Sequence, residues 1–249
     1  MDLVLRLLIA ILCSLFTRPL LSFEIFGNKW IGAETTIYSG IPGRSASGIP
    51  WNIAFLQAAT EWNEKTKFKF SVVSEYRNPC LTDGVNGVAF LTDMCGESFG
   101  KSALAVTALR YQSQLLGPAA IIEADIFINA NANFDIYAGA SSMQNQSTSK
   151  LVDFRRTALH ELGHVIGLGH ESTQPAIMKP SYGDIDQLQK DDLLGVSSLY
   201  GGLKRCAIQS LRLGITSESL TRGDCTVQDL TAGGSDDSLV DVYEFSLKR

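Results

Sequence analysis

A chain of 249 residues has room for one domain with an appendage, or for two small domains. Hydrophobic residues make up 45% and charged residues 19%, the balance of a globular chain with a sizeable core, which excludes a disordered or coiled-coil chain. Lys+Arg 21 against Asp+Glu 26 leaves a net charge of −5 with no long basic run, which argues against a nucleic-acid partner gripped through its phosphates.

From the first residue onward, Leu3 to Phe16 are apolar except for Arg6 and Ser14, and Arg18 and Pro19 follow. This predicts a secretory signal over residues 1–22, with cleavage near Ser22 or Phe23. The run Leu7 to Ser14 falls far short of the ~20 residues that span a bilayer, so no stable membrane anchor is expected. Residues Lys29 to Ser39 contain the β-prone Thr35-Thr36-Ile37-Tyr38, and a loop with Gly40, Pro42, Gly43 and Gly48 leads to Pro50, which opens a helix. Trp51, Phe55, Ala58 and Trp62 recur at three- and four-residue steps and give that helix one large apolar face. Strands are predicted at Phe68 to Val72, Gly87 to Leu91, Leu104 to Leu109 and Ala120 to Asn129, the last with Ile122, Ala124, Ile126 and Ile128 on one face. Gly139 to Ser149 reads as a surface loop, and Asn145-Gln146-Ser147 within it is a potential glycan acceptor. A helical pattern resumes at Leu151, and Leu188 to Tyr200 is a second long helix that stops at Gly201-Gly202. With no internal repeat, the layout is α+β.

Loss of the signal removes Cys13 and leaves Cys80, Cys95, Cys206 and Cys225. An even number in an exported chain predicts disulfides, with three connectivities open. The local pairing, Cys80 with Cys95 and Cys206 with Cys225, closes two short loops and is the expected one.

All three histidines fall within eleven residues, His160-Glu161-Leu162-Gly163-His164-Val165-Ile166-Gly167-Leu168-Gly169-His170. Chance alone gives that spacing on the order of once in ten thousand. Residues four apart share one face of a helix, so His160 and His164 can present ring nitrogens to one Zn²⁺. Glu161, rotated about 100° away, stays out of the ligand set yet near it. A helix continued to His170 would carry that ring ~15 Å past His160, so the chain must turn back, and Gly167 stands where a left-handed turn is needed. Three neutral imidazoles leave a fourth position for water, the pattern of a catalytic zinc. The expected chemistry is hydrolysis of a peptide bond by metal-activated water, with Glu161 as the general base that returns its proton to the leaving amine. The alternative is a zinc-holding extracellular binding or adhesion protein without turnover, against which the intact Glu161 argues.

At these residues the chain resembles a metzincin metallopeptidase, and within that group a matrixin. Ala176-Ile177-Met178-Lys179-Pro180-Ser181-Tyr182 is similar to the family's Met-turn and the pocket wall after it, and the stretch from Leu188 to Gly201 to its closing helix. The close resemblance covers Asp153 to Gly201, and Trp51 to Asp135 a looser one. It implies a zincin-like catalytic domain over 23–202 with a twisted, mostly parallel sheet, a long active-site helix, a C-terminal helix and a single catalytic zinc, acting on protein or peptide substrates as a secreted monomer. Met178 would form an apolar floor under the zinc, and Pro180, Ser181 and Tyr182 would line the pocket for the side chain after the cleaved bond. The strand Ala120 to Asn129 would run beside the cleft, offering an edge to extended substrate. Asp191 or Asp192 would be buried near the zinc helix, or both form a solvated pair. Ca²⁺ could be held by Asn129, Asn131, Asn133 and Asp135, which otherwise read as a polar turn.

The chain departs from the pattern in three places. No cysteine-bearing pro-segment motif precedes residue 50, and no histidine is left for the family's second, structural zinc. Glu171 after the third histidine is an astacin-like feature, which makes that family the second resemblance. Beyond these, residues 203–249 form a short β-rich tail in which Leu220 to Cys225 and Asp241 to Leu247 resemble the start of a bacterial prepeptidase C-terminal domain.

Overall fold

The computed structural model of the chain describes residues 25–115, 119–140 and 151–201, together with four short strands beyond them. The signal segment 1–22, the triplet Asn145-Gln146-Ser147, Cys206 and most of the two tail segments singled out above lie outside the described residues. Ser22–Lys204 is one compact unit. The tail strands belong to another: β8 (Ile208–Ser210) pairs in parallel with β11 (Val242–Glu244), and β9 (Cys225–Thr226) pairs antiparallel with β10 (Leu239–Val240).

In the larger unit, β1 (Glu34–Tyr38) is followed by helix α1 (Trp51–Lys65), β2 (Lys69–Val73), β3 (Asn86–Leu91), β4 (Ala105–Gln112) and β5 (Ala120–Asn129). The small parallel pair β6 (Phe134–Asp135) and β7 (Val152–Asp153) comes next, and helices α2 (Phe154–Ile166) and α3 (Lys190–Tyr200) complete it. Pro50 is the N-cap of α1, its φ of −64° already fixed by the ring. Phe55, Ala58 and Trp62 are fully buried on the face the spacing marked out. The helix stops where Thr66 turns extended and its hydroxyl donates to the Trp62 carbonyl. Trp62 in turn donates its indole Nε1–H to Leu159 O of α2 at 3.0 Å, so the largest core side chain hides no unsatisfied donor.

The sheet order is β2-β1-β3-β5-β4. All neighbours are parallel except β4, which runs antiparallel on β5. Ile37, Val88, Ile126 and Ile128 from the sheet meet Phe55, Phe154, Leu159, Leu162 and Ile166 from the helices in one apolar layer.

Two expectations about β5 are corrected. It is not an edge: β3 and β4 flank it, and the sheet's edge strands are β2 and, on the side of β5, β4. Nor is Ile122 on the core face with Ala124, Ile126 and Ile128. The register slips between Arg110 and Tyr111, where Tyr111 pairs with Ile121 while Arg110 pairs with Glu123. That bulge resets the alternation, so Ile121 is buried and Ile122 is 44% exposed.

Disulfide Cys80–Cys95 ties the segment before β3 to the loop after it, with the Cα atoms 5.5 Å apart. Asn129, Asn131 and Asp135, considered above for calcium, spend their side chains on the turn instead. Asn129 accepts from Asn131 N and donates to Ala103 O, Asn131 donates to Thr92 O, and Asp135 accepts from Ser47 N and Ile136 N. The polar-turn reading holds, and calcium gains no support.

Candidate metal centre

Helix α2 begins because Asp153 caps it, its carboxylate accepting the Arg156 N–H at 2.9 Å. Arg156, His160 and His164 then fall on one stripe at four-residue steps. The helix ends at Gly167, whose φ of +112° is left-handed and whose N–H returns to His164 O. A side chain there would strain the backbone and press a Cβ to 2.7 Å from Asn28 O, so both conformation and space require glycine. The turn brings His170 back over the helix.

The three imidazoles converge. His170 Nε2 lies 3.3 Å from His160 Nε2 and 3.2 Å from His164 Nε2. His160 Nδ1 bonds Ile177 O and His164 Nδ1 bonds Leu168 O, each at 2.8 Å. A carbonyl only accepts, so both Nδ1 atoms carry the proton and both Nε2 atoms are bare lone pairs. His170 can donate a proton to one of them at most, so hydrogen bonding cannot satisfy the trio. Burial pushes the pKa of His160 down and that of His164 down to about 3, which keeps both rings neutral as metal ligation requires. Nitrogens bound tetrahedrally at about 2.0–2.1 Å stand about 3.3 Å apart, so the donor set fits a zinc-sized ion.

Glu161 sits beside this trio and is 4% exposed. Burial pushes its carboxyl up to about 7, against the pull of a 2.6 Å hydrogen bond from the Thr107 hydroxyl of β4.

The floor of the site is built by the segment after His170. Met178 is buried, and a Cβ on Gly163 would overlap its Sδ, so that glycine makes room for the thioether. Asp192 holds the turn in place. One oxygen accepts from Ile177 N (2.9 Å) and Gln189 N (2.8 Å), the other from Met178 N (3.2 Å), while burial pushes its pKa up to about 6. Asp191 is buried as well, so the pair is not solvated. Glu171 draws Thr173 N, Thr173 Oγ1 and Gln174 N onto one oxygen, and its own N–H bonds Met178 O at 2.8 Å. The astacin-like residue is thus an organiser of the loop behind His170.

Of the expected pocket residues, Pro180 and Ser181 are exposed and Tyr182 is half-buried. The Tyr182 hydroxyl accepts from Asp153 N at 2.7 Å and lies 2.8 Å from Tyr137 Oη. Arg156 stacks near both tyrosine rings and donates to Gly183 O and Gly139 O. The sequence reading missed Asp153, Arg156 and Thr107. Asp153 carried a usable signal, an acidic cap just ahead of a helical run. Arg156 and Thr107 carried none, because their partners come from distant segments.

The matrixin family model, a peptidase family, matches residues 50–201, over half of the chain. Metalloendoproteinase 4-MMP of Arabidopsis thaliana is 38% identical over 87 residues, 34% of this chain and 25% of that protein. Macrophage metalloelastase of Oryctolagus cuniculus is 53% identical over 49 residues, 18% of this chain and 11% of its own length. Human matrilysin is 44% identical over 54 residues, 20% of each chain. These matches span a quarter or less of the relatives' lengths. The tail after residue 201 lies outside the family match.

Proposed function

Because this chain belongs to the matrixin family, and because three imidazoles converge beside a buried glutamate, we propose that it is a secreted zinc-dependent endopeptidase. The convergence of the three Nε2 atoms is the observation that carries the reading. His160, His164 and His170 would hold the metal, which when bound supplies Lewis-acid polarisation of a carbonyl and a water more acidic than bulk.

The protein's own groups do the rest. Ile177 O and Leu168 O fix the orientation and tautomer of two rings. Glu161 takes a proton from the attacking water on the oxygen that Thr107 leaves open, and delivers it to the leaving amine. Substrate adds as an extended strand along the free edge of β4, beside α2. Pro180, Ser181 and Tyr182, on the segment leaving Met178, line the pocket for the residue after the cut. Export is supported by the Cys80–Cys95 disulfide, a bond that persists in oxidising compartments. Among the described residues no helix is long and apolar enough to cross a membrane.

The test is to incubate the protein with a peptide library, with and without a chelator, and map the cuts by mass spectrometry. Cuts that vanish with chelator and return with zinc are expected. Zinc-loaded, folded protein that cuts no peptide would overturn the reading.

A further inference from the structure

We propose that Thr107 is a positioning residue: it pins one oxygen of the Glu161 carboxylate so that the other faces the reacting atoms. Its catalytic consequence rests on the peptidase reading above, whereas the pinning itself does not.

A glutamate has three rotatable bonds, and in α2 only its backbone is fixed by the helix. Here Oε2 accepts the Thr107 hydroxyl at 2.6 Å, a short O–H···O hydrogen bond. The hydroxyl also lies 3.3 Å from Glu161 O, but its single proton serves the nearer acceptor. No other protein hydrogen bond reaches this carboxylate among the described residues, so Thr107 alone selects which oxygen is spent.

The donor is itself held rigidly. Threonine is β-branched and stiff about χ1. It sits mid-strand in β4, paired opposite Ile126 in a ladder that runs from Ala105 to Gln112. β4 is also an edge strand of the sheet, the one packed beside α2. The element on which a peptide would be laid therefore also fixes the proton acceptor, and the two are registered by one backbone.

The test compares Thr107→Val, which keeps the shape and loses the hydroxyl, with Thr107→Ser, which keeps the hydroxyl and loses the methyl. Crystal structures of the metal-free proteins should show one Glu161 conformer in wild type and Thr107→Ser, and a rotated or split carboxylate in Thr107→Val. For the zinc-loaded enzymes, kcat should fall about tenfold to a hundredfold in Thr107→Val with KM within about twofold, and Thr107→Ser should recover most of it, as for loss of one charge-assisted hydrogen bond. Thr107→Ala takes the place of the valine variant if the latter does not fold. The proposal is overturned by an unmoved carboxylate in Thr107→Val, by a kcat within about twofold of wild type, or by loss of activity that serine does not rescue. If zinc-loaded wild type cuts nothing, the peptidase reading fails, and the crystal structures still decide whether Thr107 holds Glu161.

Discussion

Two largely buried polar clusters of this domain close their hydrogen-bond accounts differently. The first joins Asn86 of β3, Arg110 of β4, and Glu123 and Asp125 of β5. Asn86 donates to Thr35 Oγ1 and Thr36 O and accepts from Ala124 N. Glu123 takes Gly84 N and the Arg110 guanidinium, and Asp125 takes Gly87 N. Its buried groups find partners on the strands and on the loop entering β3, and the cluster serves to join strands. The second, on α2 and the turn after it, brings two ring lone pairs onto a third ring that has at most one proton to offer them, and leaves one oxygen of Glu161 free of protein donors. Residue types alone do not separate the two. What separates them is the capacity left in the buried groups once the fold has been satisfied: Asn86 and Glu123 of the first cluster are spent on the sheet, while the second keeps ring lone pairs and a carboxylate oxygen to offer a ligand.

That distinction can be broken by substitution, and the largest effect is expected at Glu161. Glu161→Gln should lower cleavage by about 10²–10⁴-fold, the range for loss of a general base, while zinc stoichiometry and Tm stay at or above wild type. A carboxylate needed for packing would instead lower Tm. Next in size is the metal itself. Zinc at about a thousand times its Kd should stabilise the fold by about 4 kcal/mol, read as a rise in Tm that a chelator reverses. His164→Ala should abolish that rise, and variants of the sheet cluster should keep it. A zinc response that survives His164→Ala would place the ion elsewhere.

The difference between the clusters also marks how far the sequence could be read. The imidazole site was legible because its logic is local: His160 and His164 are bound by helical period, and Gly167 by the need to turn. Helices α1 and α2 were legible for the same reason, through the Trp51–Phe55–Ala58–Trp62 stripe and the apolar run after Leu151. The sheet cluster was not, since Asn86, Arg110 and Glu123 meet only through strand order, and no spacing encodes which strand lies at the edge. Expecting β5 rather than β4 to offer an edge followed from the same gap, and Thr107 carried no signal because its partner lies on α2. Ile122 was misplaced because a single extra residue at a bulge flips a period-two pattern.

Opening the closed cluster should cost stability and nothing else. Asn86→Ala leaves the Ala124 N–H and the Thr36 carbonyl of the sheet interior without a side-chain partner, a loss of about 2–3 kcal/mol. It should appear as a lower Tm, with kcat per folded molecule unchanged. A fall in kcat below the melting transition would show that the two clusters are coupled.

The smallest effect is one of pH, and its sign is fixed by burial. Removal from water pushes Asp125 up to about 7 from its ordinary 3.8, with the neighbouring Glu123 carboxylate adding to the rise and the Gly87 N–H and Arg110 opposing it. Glu123, bonded by Gly84 N and Arg110, is held below its ordinary value and stays ionised through the neutral range. The folded protein therefore keeps a proton on Asp125 up to about pH 7 that the unfolded chain releases near 3.8. Between those values the folded state binds more protons, so this group's contribution to stability falls as pH rises through the window and levels off above it. From pH 6 to pH 8 the expected loss is about 1 kcal/mol, or about 2–4 °C in Tm for a domain of this size. Asp125→Asn keeps an oxygen for Gly87 N and offers an amide N–H to Glu123, so the variant should lack this slope and equal or exceed wild type at pH 8. Melting both proteins in saturating zinc cancels the contribution of the metal site, and the difference between them reports Asp125 alone. A wild-type curve parallel to that of the variant would mean that Asp125 is ionised in the fold, paired with Arg110 as an ordinary ion pair.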